Sequence, residues 1–134
     1  MNDCIFCQIV KGNATSWKIM ENEFAYAFLD INPASKFHTL VIPKNHFKNI
    51  FEIPNTELKE VIALVKSVAK LYEKKLGITN IQIINNNGSA AQQDIFHIHF
   101  HIVPRKLGDG QNVRWKVHPA WRTDFDEMIE QLNN

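Results

Sequence analysis

His97, His99 and His101 sit at every second position of one short stretch, separated by the bulky apolar residues Ile98 and Phe100. Successive side chains of a β-strand point to opposite faces. The three imidazoles would therefore share one face, and Phe96, Ile98, Phe100 and Ile102 the other. The apolar face can pack on a core, whereas three imidazoles make a poor core layer, so the histidine face looks into a cleft. Strand rise sets neighbouring rows about 6.6 Å apart and the outer pair about 13 Å apart. Three readings are open. The row can be an exposed strand face that happens to carry histidine. It can hold part of a catalytic zinc site, although the outer two imidazoles cannot share one ion and another ligand must come from elsewhere. Or it can perform nucleophilic catalysis at phosphorus. A neutral imidazole is a good nucleophile near pH 7, given a reference pKa of ~6.5. A neighbouring imidazole can donate to the phosphoryl oxygens as charge builds.

The second constellation is Cys4-x-x-Cys7, which holds both cysteines of the chain. Two cysteines are too few for a secreted disulfide framework, and a thioredoxin-like pair lacks its βαβ context. Two buried, unrelated thiols are one option. Structural zinc is the preferred reading. With no other cysteine, the two remaining ligands of a tetrahedral ion would be histidines.

The elements that carry these residues follow from periodicity. Asp3 can cap a short helix over residues 4–11 that Gly12 closes. Residues 16–30 read as two strands joined at Glu21-Asn22, and His38–Pro43 as a short β-branched strand. Leu58, Val61, Ile62, Val65, Val68, Ala69, Tyr72 and Leu76 keep helical spacing, with Asn55 or Thr56 as cap and Gly77 as stop. Residues 80–85 form a strand, 86–94 a small-residue loop, and 95–103 the last strong strand. An irregular aromatic segment follows, Val113–Trp121, and then a short helix around Asp124–Leu132. One long helix among strands, without βαβ alternation, predicts an α+β fold with a mainly antiparallel sheet.

Composition narrows the function classes. A 134-residue chain with 45% hydrophobic residues is expected to form a single domain over residues 1–134 with a full core. A net charge of +1 gives no footprint for nucleic acid or a membrane. No apolar run approaches the ~20 residues of a membrane span. The first ten residues make a poor signal peptide, so a cytoplasmic location is expected.

Four segments in order carry a resemblance. They are "CIFCQIVKG", "FLDINPASKFHTLVIPKNH", "NNGSAAQQDIFH" and His97-Ile-His-Phe-His-Ile-Val103. Together they resemble the histidine triad (HIT) superfamily of nucleotide hydrolases and transferases, in particular its bacterial Hint-like branch. The likeness covers about residues 4–105 and leaves 106–134 as a C-terminal extension. It implies a five-stranded antiparallel sheet with one long helix and short terminal helices, pairing as a homodimer. It implies His99 as the nucleophile that attacks the α-phosphorus of a nucleotide, with His101 on the phosphoryl oxygens and His97 in support. Asp30 would hold the ribose hydroxyls, Asn86 would touch the nucleotide, and His38 would lie behind the triad. Phe6, Ile9, Phe28 and Ile31 match base-pocket positions, where plain core is the competing reading. Gln93 would lie near the leaving group, and Gln92 and Asp94 belong to the phosphate loop. The resemblance also implies zinc held by Cys4, Cys7, His46 and His97.

The implied activity is hydrolysis of purine nucleoside phosphoramidates or related adenylates, through a nucleotidyl-histidine. Dinucleoside polyphosphate hydrolysis and a purine-nucleotide-binding module with incidental turnover are the alternatives. One departure stands out: the family's usual glycine before Gln93 is Gln92 here, which would be strained if that position needs positive φ. Asp94 would place a negative charge near the substrate phosphate if its side chain turned inward. It is expected to point outward.

Overall fold

The computed structural model describes residues 3–111 and 114–134. The helix predicted between the third and fourth strands is α2 (Asn55–Leu76). Its buried stripe is Val61, Leu64, Val65, Val68 and Tyr72, while Ile62 and Leu76 of the predicted pattern stay exposed. The cap is the extended Pro54 rather than Asn55 or Thr56. Gly77 ends the helix at φ 67°, a left-handed conformation open to glycine at little cost.

The stripe packs on a five-stranded antiparallel sheet in the order β1-β2-β3-β5-β4. The strands are β1 (Lys18–Glu21), β2 (Ala25–Leu29), β3 (Thr39–Pro43), β4 (Ile81–Asn85) and β5 (Phe100–Pro104). Alternation along β2 sorts its two faces. Ala25 and Ala27 join the α2 core with Val41, Ile98, Phe100 and Ile102, and their small size lets the helix approach closely. Tyr26 and Phe28 point the other way and pack with Leu40, Ile42 and the short N-terminal helix α1 (Ile5–Val10) through Phe6 and Ile9. Both faces of the inner strands are thus covered, and each fully buried aliphatic side chain contributes about 1.5–3 kcal/mol. One buried polar link ties helix to sheet. The Thr39 hydroxyl donates to Phe37 O at 2.7 Å, which leaves its oxygen to accept from the Tyr72 hydroxyl at 2.6 Å.

Three local expectations change. Cys4, not Asp3, caps α1, its sulfur accepting from the Cys7 N–H. The last strand begins at Phe100 instead of residue 95, because the Ile98 N–H donates to Phe47 O at 2.8 Å and leaves the sheet ladder. Phe96 is consequently exposed and does not share the core with Ile98. The segment Val113–Trp121 begins outside the described residues. From Arg114 it stays irregular to the 3₁₀ turn Pro119–Asp124, which leads into α3 (Phe125–Leu132). Among the described residues, no helix is long and apolar enough to cross a membrane.

The loop between β4 and β5 sets the approach to the histidines. A 3₁₀ turn, Ser89–Ala91, ends at Gln92, whose φ is 71°. That left-handed backbone costs a residue with a Cβ about 1–2 kcal/mol, and the Gln93 side chain holds the loop in place despite it. Gln93 accepts from the Gly88 N–H at 2.8 Å and donates to Lys48 O and Ile95 O at 2.7 and 3.0 Å. Gln92→Gly removes the strain and adds about 0.5–1 kcal/mol of unfolded-state entropy, so a net gain of up to about 1.5 kcal/mol is expected. Urea unfolding followed by fluorescence measures it, and a clear loss of stability would contradict the strain assignment.

Candidate active site and metal centre

His97, His99 and His101 enter the site from one continuous segment, but only His101 lies within β5. His97 and His99 precede the strand and are buried, whereas His101 is partly open. Hydrogen bonds fix which nitrogen of each neutral ring carries the proton. His99 Nδ1 lies 2.9 Å from the His97 carbonyl, which can only accept. Nδ1 is therefore protonated, and Nε2 presents its lone pair. His97 Nε2 donates to Pro43 O at 2.8 Å, so the His97 lone pair is on Nδ1.

A second relay runs through His38. The Ala34 N–H donates to His38 Nδ1 at 2.9 Å, so the His38 proton is on Nε2. Nε2 lies 2.9 Å from His101 Nδ1 and donates to it. His101 consequently carries its own proton on Nε2. Its ring centroid is 5.1 Å from that of His99. A lone pair on His99 and an N–H on His101 are thus presented side by side. Burial, reinforced by the neighbouring His99 and His38, depresses the His101 pKa to about 4. Burial likewise lowers His38, against the opposing pull of Asp30. Both rings are neutral at pH 7.

His97 faces the other constellation. Its Nδ1 lies 3.4 Å from Cys4 Sγ and 3.6 Å from Cys7 Sγ, and Cys7 Sγ lies 3.5 Å from His46 Nδ1. The ligand atoms of Cys4, Cys7, His46 and His97 all lie within 4.8 Å of one another. Zinc bonds of about 2.3 Å to sulfur and 2.05 Å to nitrogen give tetrahedral S···N edges of about 3.6 Å. The set therefore fits a tetrahedral ion by donor type and by spacing. Burial holds His97 neutral, with its pKa lowered to about 4, as a ligand must be. Burial raises the Cys7 thiol, helped by the hydrogen bond to Cys4. A nearby cation would reverse that shift.

The remaining predicted residues fall into three groups. Asp30 Oδ1 accepts from the Asn32 N–H at 2.8 Å in a local turn, and Oδ2 lies 3.4 Å from His38 Nε2, so turn chemistry and site contact coexist. Phe6, Ile9 and Phe28 are nearly fully buried core residues. The Phe6 ring meets the edges of His97 and His99 at 5.7 and 5.3 Å and so forms their apolar floor. Of the four base-pocket positions only Ile31, 75% exposed, offers open surface. The Gln93 amide is taken up by its loop bonds to the Gly88 N–H, Lys48 O and Ile95 O. Gln92 and Asn86 line a cavity of about 950 Å³ beside His101, together with Gln82, Arg114 and Trp115. Asp94 is 83% exposed, yet its Oδ1 reaches to 3.9 Å from His99 Nε2. It is outward by exposure but not remote from the site.

Sequence reasoning missed Asn85 and Asn87. Asn85 donates to the His99 carbonyl at 2.9 Å, and Asn87 donates to Asn85 Oδ1 at 2.6 Å while accepting from the Ile50 N–H at 2.7 Å. The one available signal was the Asn85-Asn86-Asn87 run at a strand end.

Comparisons with known proteins agree with the fold. The family model for the HIT domain matches residues 11–108. The adenosine 5′-monophosphoramidase of Saccharomyces cerevisiae is 37% identical over 126 residues, 93% of this chain and 75% of that protein. A HIT family protein of Bacillus anthracis superposes with a TM-score of 0.89 at 33% identity, over 99% of this chain and 96% of that one. A zinc-bound histidine triad family protein of Mycobacterium smegmatis superposes with a TM-score of 0.78 at 32% identity, over 97% and 98% of the two chains. Fold, ordered motifs and relatives converge: the chain belongs to the HIT domain family.

Proposed function

We propose that this HIT-family nucleotide hydrolase cleaves nucleoside 5′-phosphoramidates at the α-phosphorus, through a nucleotidyl-histidine at His99. The observation that carries the reading is the pair of fixed tautomers. The His99 lone pair on Nε2 and the His101 proton on Nε2 supply a nucleophile and an adjacent donor, without prior proton movement. His99 Nε2 bonds to phosphorus as the P–N bond breaks, and the amine leaves with a proton taken from solvent. Water then attacks the same phosphorus and releases the nucleoside monophosphate. The His101 N–H follows the phosphoryl oxygens as charge grows on them, and Asn85 keeps the His99 main chain in place. The yeast relative's phosphoramidase activity supports this substrate class. A purine nucleotide would set its ribose against Asp30 and its base against Ile31.

Zinc in the Cys4, Cys7, His46 and His97 set is part of the reading, supported by the donor spacing and by the zinc-bound relative. The ion would supply structural cross-linking. It would pin α1 to the His97 segment and leave His99 and His101 free for the reaction. Pairing into a homodimer belongs to the same reading. The edge strand β4 and helix α2 expose Ile83 and Ile62, apolar side chains that a second copy can cover.

Two outcomes check these assignments. His99→Ala should lose at least about 10³-fold of the phosphoramidate turnover, since it removes the covalent route. Intact mass after a rapid quench should show one added nucleotidyl group in the parent protein and none in the variant. A variant that keeps full turnover would remove His99 as nucleophile. Stripping metal with a strong chelator should lower the thermal midpoint by several degrees, and zinc but not magnesium should restore it. An unchanged midpoint in a protein shown by elemental analysis to have lost its zinc would contradict the structural role.

A further inference from the structure

The loop fixed by Gln93 delivers Asp94, whose carboxylate the reaction above leaves unused. Asp94 Oδ1 stands 3.9 Å from His99 Nε2. That separation is too long for a hydrogen bond between them, which leaves the carboxylate free to face a bound group. Reacting atoms in a near-attack arrangement are about 3–3.5 Å apart. An α-phosphorus poised on Nε2 therefore brings its oxygens next to the Asp94 carboxylate. The groups that face Asp94 are His99 and His101, the latter feeling its charge directly. The Lys48 ammonium stands over the Phe96 ring, 5.7 Å from its centroid.

We propose that Asp94 is a charge filter that favours α-phosphoryl centres with one negative charge and disfavours the dianionic nucleoside monophosphate. The inference rests on His99 as the attacking residue. Its logic lies in the charge balance of P–N hydrolysis. A nucleoside phosphoramidate carries one negative charge at phosphorus. Water supplies the new P–O bond, the P–N bond breaks, and the amine leaves with a proton. The resulting phosphate then loses its second proton near pH ~6. The centre next to Asp94 thus gains a negative charge as product forms, and repulsion assists release. Asp94 is 83% exposed, so water screens the repulsion, and an effect on the order of tenfold is expected rather than thousands.

The test compares AMP with its monoanionic methyl ester by titration calorimetry between pH 5 and 8, in the parent protein and in Asp94→Asn. In the parent the ester-to-AMP affinity ratio should rise with pH as AMP becomes a dianion. In D94N that rise should shrink on the order of tenfold. A change in loop structure alone would weaken both ligands and leave the pH dependence of their ratio as it was. An identical rise in the two proteins, with both ligands bound, overturns the charge filter while leaving the nucleotide reading intact. Absence of binding by both ligands to the parent overturns the nucleotide reading and the filter with it.

Discussion

The structure depends on the one-way character of a hydrogen bond to a main-chain group. A carbonyl can only accept and an amide N–H can only donate, so an imidazole beside either has no choice of tautomer. Three such contacts set three rings. The His97 carbonyl sets His99, the Pro43 carbonyl sets His97, and the Ala34 amide sets His38. His101 inherits its tautomer from His38. From chemically identical side chains the backbone makes rings that present a lone pair or an N–H where the proposed reaction needs each. Burial keeps His97, His38 and His101 neutral, so the assignments hold at neutral pH.

The rest of the fold holds those backbone groups still. Pro43 closes β3, a central strand, and α2 packs on one face of the sheet while α1 covers the other. The Phe6 ring of α1 floors His97 and His99, and its neighbours Cys4 and Cys7 meet His97 Nδ1. The N-terminal helix thereby serves the Cys4, Cys7, His46 and His97 cluster and the floor of the histidines together. Opposite, Gln93 clamps the loop at the cost of a left-handed Gln92. The strain lies where the loop bends toward His99, as expected when geometry there outranks local comfort.

Much of this was legible in the residues. The long helix followed from apolar spacing, the strands from β-branched runs, and the clustering of Cys4, Cys7, His46 and His97 from donor chemistry joined to a family likeness. The misreadings share one cause. Strand alternation extended from Phe100 back to Ile95, yet Ile98 hydrogen-bonds to Phe47, and no side-chain pattern announces a main-chain partner fifty residues away. The loop bonds of the Gln93 amide to Gly88, Lys48 and Ile95 were equally unannounced by its residue type. The supports from Asn85 and Asn87 were hidden for the same reason, since their partners are set by tertiary placement. Side-chain periodicity encodes faces and elements. The choice of polar partner emerges only when the chain has folded.

The measurement that tests this account most directly is a long-range ¹H–¹⁵N correlation spectrum of the imidazoles at pH 7.5. The fixed-tautomer account predicts His99 as a neutral ring protonated at Nδ1, and His38 and His101 as neutral rings protonated at Nε2. A His99 ring protonated at Nε2, or one exchanging between both tautomers, would contradict it. The lone pair would then not be held ready for phosphorus.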